Sequence, residues 1–177
     1  SHPFDRAMHL AEALCKAVKG QTKPLDSIAP SGLMLYRQTV SLLDDWGGVL
    51  QAETTLPHGQ VRYRTVHGPY LVKPDAARRL PALADLRALR DVLDKDIMAR
   101  GPMRQLITQL HHTPETARKS WRRVWEMLER RDTRTRDELA KALQGLGLPS
   151  SPDELPCVCR SGGAADLRHT PLGDALT

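Results

Sequence analysis

Arg118, Lys119, Arg122 and Arg123 have the residue types and spacing to bind phosphate. A guanidinium takes carboxylate or phosphate oxygens in pairs, and spacings of one, four and five residues keep these cations along one side of a helix. Arg62 and Arg64 alternate with Val61, Tyr63 and Thr65, so in a strand they share one face, where phosphate contact is common. Arg37 and Gln38 would lie opposite Val40 and Leu43, and both residue types can pair with purine edges. These eight residues are the candidate nucleic-acid contacts. Asp44 and Asp45 oppose that role at the end of their segment.

Other reactive residue types fit structural roles better. Cys157-Val158-Cys159 with a distant His169 is the best metal candidate, but structural zinc wants four ligands and wider cysteine spacing. A metal-free loop dithiol fits better. Cys15 falls on an apolar helical stripe and reads as a core residue. Trp121 and Trp125, four residues apart, read as core rather than as a base-stacking platform. His111 and His112 are adjacent on a helix and point in different directions. Asp91, Asp94 and Asp96 are offset by Arg90 and Lys95. Gly47-Gly48 and Gly162-Gly163 lack the strand-to-helix setting of a phosphate-binding loop, and there is no nucleophile elbow. The expectation is a non-enzymatic protein with no cofactor and no metal.

Composition agrees. The 177 residues are 40% hydrophobic and 27% charged, which suits a globular chain. The net charge is +5, with 19 arginines to 7 lysines, which favours an anionic partner. Residues 117–136 hold eight basic and three acidic groups, so this segment alone accounts for the +5. The first 75 residues are nearly balanced, with eight basic and seven acidic groups. No apolar run approaches the roughly 18 residues of a membrane span, and no signal peptide is legible at the start. Three cysteines do not make a disulfide framework. An intracellular location (cytoplasm, nucleoid or nucleus) without a membrane partner is expected.

These residues must be positioned by helices and one hairpin. Phe4, Met8, Ala11, Leu14, Cys15 and Val18 predict an amphipathic helix over residues 4–19 that Gly20 ends. Ser31 can cap a second helix reaching about Asp45. Residues 49–56 and 60–66, separated by Pro57-His58-Gly59, predict a hairpin. Leu83, Leu86, Leu89, Leu93 and Ile97 continue as a helix, and Gly101-Pro102 breaks it. A short helix covers 103–110. Thr113-Pro114-Glu115 starts a helix running to about Arg131, with Thr113 as N-cap and proline at the first position. Ala117, Trp121, Val124, Trp125 and Leu128 form its buried face. Thr135 and Glu138 have capping-box spacing for a last helix ending at Gly145 or Gly147. The expected organisation is 1–75, 76–147 and an irregular Pro/Gly-rich tail, 148–177.

Two resemblances follow. Residues 31–49, beginning Ser31-Gly32-Leu33-Met34-Leu35-Tyr36-Arg37, resemble the recognition helix and first wing strand of PadR-like winged-helix regulators, and residues 4–66 follow that order of elements. Residues 105–139 resemble the helix-turn-helix of LuxR-type regulators and of sigma-factor region four. Leu106 and Leu110 match the short helix, and Thr113, Pro114 and Thr116 match the start of the recognition helix. That resemblance implies DNA-facing positions at Glu115, Arg118, Lys119 and Arg122. The last helices also resemble those of death-fold domains, which act by protein docking. The fold expectation is mainly α with one β-hairpin: a winged helix followed by a four-helix, helix-turn-helix-like bundle. The functional expectation is a DNA-binding protein of transcription-regulator type, with duplex DNA or another anion as partner. The alternative is a protein-interaction subunit of a larger assembly.

Overall fold

The computed structural model describes residues 3–25, 28–35, 55–58, 60–75, 77, 80–98, 100–159 and 167–176. The protein is mainly helical, with small sheets. Six α-helices stand among the described residues: α1 (Pro3–Thr22), α2 (Leu83–Leu93), α3 (Arg100–His112), α4 (Pro114–Arg131), α5 (Thr133–Gly145) and α6 (Leu172–Ala175). The strands are β1 (Gly32–Leu33), β2 (Thr55–His58), β3 (Val61–Arg64), β4 (Tyr70–Leu71), β5 (Val158–Cys159) and β6 (Leu167–His169).

α1 runs through Gly20 rather than stopping there. One helical glycine costs about 1 kcal/mol, and burial of Val18 and Thr22 beyond or beside it offsets that cost. Both pack on Gly32 of β1, where a Cβ would stand 3.1 Å from Val18 and 3.2 Å from Thr22. The rest of the apolar stripe is more open than its pattern predicts. Cys15 is exposed, not core, and Met8 is 56% exposed.

The helix expected from Ser31 does not begin there. Gly32 and Leu33 pair antiparallel with Leu71 and Tyr70, and the Val72 amide donates to the Ser31 carbonyl at 2.9 Å. Strand pairing takes the backbone groups that a helix start would use. Arg37 and Gln38, in the remainder of that expected helix, lie outside the described residues.

The hairpin forms, with its turn displaced. Pro57 pairs opposite Arg62 and His58 opposite Val61, so both residues belong to β2 and not to the turn. Pro57 is tolerated because β2 is an edge strand. The hairpin does not stand alone. β3 also pairs in parallel with β6, and β6 pairs antiparallel with β5, giving the order β2-β3-β6-β5. The stretch expected to be irregular therefore supplies half of a four-stranded sheet and the short helix α6. Strands of two or three residues carry no periodicity to read.

Gly101-Pro102 falls inside the first turn of α3 instead of breaking a helix. Amides of a first turn have no intrahelical acceptor, so proline loses nothing there. α2 ends at Leu93, short of Ile97, and a 3-10 turn (Asp96–Met98) follows. Thr113 caps α4 as its sequence predicts: its hydroxyl accepts the Thr116 amide at 3.3 Å. α5 starts two residues before Thr135, because Asp132 takes the cap. Its carboxylate accepts the Thr135 amide at 3.0 Å and the Thr135 hydroxyl at 2.7 Å. Glu138 turns to Lys95 and Arg134 instead. α5 closes on Gly147 at φ +70, with the Leu148 amide donating to Leu143 and that of Gly147 to Gln144. This is the Schellman pattern, with both Leu143 and Leu148 buried.

One hydrophobic cluster joins the three stretches of sequence. Leu89, Leu106, Trp121 and Leu139 come from α2–α5, Tyr63 and Tyr70 from the strands, and Leu155 and Leu172 from beyond residue 148.

Candidate nucleic-acid interface

α4 is built from two opposed faces. Ala117, Trp121, Val124, Trp125 and Leu128 are buried, as the wheel predicts. The two indoles meet edge-on, with centroids 5.9 Å apart. Core packing on one side fixes what the other side shows: Glu115, Lys119, Arg122, Arg123 and Glu126 are exposed. Arg118 lies at the margin, half-buried.

Burial raises the Tyr63 hydroxyl above its ordinary pKa, while the charges of Arg168 and then Arg118 pull it down. Both charges thus act on the Tyr63 hydroxyl, that of Arg168 the more strongly. Arg168 is exposed on β6 and sits opposite Tyr63 in register. Sequence reading misses this cation, because the two residues are far apart in the chain.

Arg62 and Arg64 alternate with Tyr63 and so project from the opposite face of β3. The structure does not join them to the α4 cations. Arg64 is half-buried, and burial lowers its pKa, with Arg62 beside it adding repulsion.

The cations of 117–136 divide into two groups. Arg136 is held by Glu129 and by Asp137 (2.7 Å), Arg134 by Glu138 (3.2 Å), and Arg122 Nη2 by Asp153 Oδ1 (2.8 Å). Among the described residues, Arg118, Lys119, Arg123, Arg130 and Arg131 have no ion pair. The Arg122 partner comes from a strap, residues 149–156, that crosses α4. The Trp121 indole N–H donates to the Ser151 carbonyl at 3.0 Å, and the Ser151 hydroxyl accepts the Asp153 amide at 3.1 Å.

The other candidate groups lie elsewhere. Cys157 is buried and its thiol is pushed up to about 12 by desolvation, so it stays protonated. Cys159 is exposed. His169 is buried with Nδ1 3.3 Å from the Val66 carbonyl. Asp174 is buried and ties the β3–β4 connection to α6: its Oδ2 accepts the His67 amide (2.8 Å), the Gly68 amide (3.2 Å) and the Tyr70 hydroxyl (2.5 Å). A cleft of about 290 Å³ lies beside these groups, lined by His67, Asp85, Gln144 and Cys159 among others. Among the described residues no cluster of three or more His, Cys, Asp or Glu has a metal-binding arrangement.

No family model matches the chain, and neither does any curated protein or solved structure. Among the described residues no helix is long and apolar enough to cross a membrane.

Proposed function

We propose that this chain is a non-enzymatic, DNA-binding protein of transcription-regulator type that contacts the duplex through α4, with Arg168 of β6 beside it. The observation that carries the reading is the set of α4 cations without an ion pair, opposite a fully packed apolar face. Such a face is held rigid by the core and offers its charge outward. Each phosphate neutralised releases condensed counterions, which makes binding favourable and salt-dependent. In this reading α3 and α4 correspond to the helix-turn-helix pair, joined by Thr113 alone, with α4 as the groove-facing helix. Arg118 and Arg168, whose charges both act on Tyr63, would grip the adjoining phosphates. The first half would be the winged-helix part. Arg62 would be a peripheral contact there, and the half-buried Arg64 a weaker one.

The test is a salt titration of binding to random-sequence duplex DNA. The logarithm of affinity should fall linearly with that of salt, by about 0.9 per phosphate contacted. Arg118→Ala with Arg123→Ala should weaken binding at least tenfold and flatten that slope. Unchanged affinity in the double variant sinks the site assignment.

A protein-docking role is the second reading. Met8, Ile28 and Val72 are 56%, 84% and 54% exposed, all in or beside the α1–β1–β4 unit. Large exposed apolar side chains fit a protein partner better than a phosphate backbone. Absence of duplex binding at low salt, with a stable partner held through this unit, favours that reading.

A further inference from the structure

One cation of the basic face is already occupied. Arg122 lies between Arg118 and Lys119 around the helix, yet its guanidinium faces Asp153 at 2.8 Å. Exposed ion pairs hold weakly by themselves, because two mobile side chains must be ordered in water. This one has an anchored partner. Leu148 and Leu155 are buried at the two ends of the strap. Between them the Trp121 indole, itself fully buried, donates to the Ser151 carbonyl, and Gln144 donates to the Ser150 hydroxyl at 3.0 Å. The Asp153 amide closes a turn on the Ser151 hydroxyl. Core packing and these hydrogen bonds therefore place the carboxylate where Arg122 meets it. Glu154, the next residue, is also exposed and adds a second negative charge to the strap.

We propose that residues 149–156 form an acidic latch over α4, in which Asp153 occupies Arg122 and competes with a DNA phosphate for it. This rests on the DNA-binding reading above and concerns the regulation of that same site. A carboxylate and a phosphate oxygen use the same guanidinium N–H groups, so a phosphate that needs the Nη2 edge of Arg122 must compete with Asp153 for it. Duplex DNA must displace Asp153 and must approach against the charges of Asp153 and Glu154. The latch thus lowers affinity and removes one phosphate contact from the salt dependence.

The experiment compares the whole chain and the variants Asp153→Asn, Glu154→Gln, Arg122→Ala and Asp153→Asn/Arg122→Ala on a short random-sequence duplex across a salt series. Circular dichroism confirms that each is folded. Asp153→Asn should bind several-fold tighter at low salt, with a slope steeper by about 0.9. Glu154→Gln should gain less, because it changes net charge equally but releases no cation. The gain should vanish in the Arg122→Ala background. Equal gains from Asp153→Asn and Glu154→Gln, or a gain that survives Arg122→Ala, overturn the latch and leave the DNA reading standing. Wild-type binding unchanged by Asp153→Asn does the same. Failure of both wild type and Asp153→Asn to bind at low salt overturns the DNA reading and the latch with it. Binding by Asp153→Asn alone supports both.

Discussion

Gly173 stands where no other residue fits. In the first turn of α6 it lies directly on the Thr65 carbonyl, and a Cβ there would fall far inside van der Waals contact with that oxygen. The obstacle is backbone, which cannot swing aside as a side-chain end can. Gly173→Ala should destabilise the fold by about 1–3 kcal/mol, the usual cost of overpacking, read as a lower urea midpoint. Cys157 is constrained by burial instead. Its thiol remains protonated to about 12, so iodoacetamide at pH 8 should label Cys15 and Cys159 in the native protein and Cys157 only after unfolding. The same shift has a stability consequence. An acid whose folded pKa is raised contributes stability below its unfolded value, near 8.5 for a thiol. Stability should therefore decline as pH rises above about 8.5, when the unfolded thiol ionises and the folded one does not. Cys157→Ser should remove that decline, measured as urea midpoints from pH 7 to 10. Neither role is legible in a glycine or a cysteine taken alone, because each depends on what the fold brings against it.

At the scale of the element, α4 is the part most fully written in the sequence. Its cap, its proline and its apolar face are local features with fixed offsets, and all three appear as read. Thr113→Ala should cost about 0.5–2 kcal/mol through loss of the cap. α5 shows where local reading ends. Thr135 and Glu138 have the right spacing for a capping box, but the charged Asp132 is the stronger acceptor for the first-turn amides. The Thr135 hydroxyl, and then its amide, hold the Asp132 carboxyl below the usual carboxylate range. Lys95 and Arg134 do the same for Glu138. For a depressed carboxyl, the stabilisation is complete above the unfolded pKa of about 4 and is lost as pH falls through the lower folded value. Asp132→Asn should therefore flatten the acid limb of stability against pH, seen in thermal melts between pH 5 and 2. An acid limb identical to that of the wild type would contradict the cap assignment.

At the scale of the molecule, residues from before 75 and after 148 enter one core with the helices between them. β6 lies between β3 and β5, and Asp174 holds the backbone at His67 and Gly68. A chain ending after residue 159 loses β6, α6 and this anchor. It should melt well below the full chain, with the loss extending to the signal of Trp121 and Trp125. An unchanged melting midpoint would show that the last stretch is dispensable.

The sequence by itself determined the helices of 83–145, the buried and basic faces of α4, and the concentration of positive charge there. Helical periodicity, caps and net charge are sums over neighbours in the chain, so neighbours suffice to read them. Only the tertiary structure decided which cations are available and which are held. Asp153 reaches Arg122 from 31 residues away, and Arg168 reaches Tyr63 from another strand. It also decided that β5 and β6 exist, since strands this short are stable only when a partner strand supplies their hydrogen bonds. Contacts of that kind are set by packing between distant segments, and no local pattern records them.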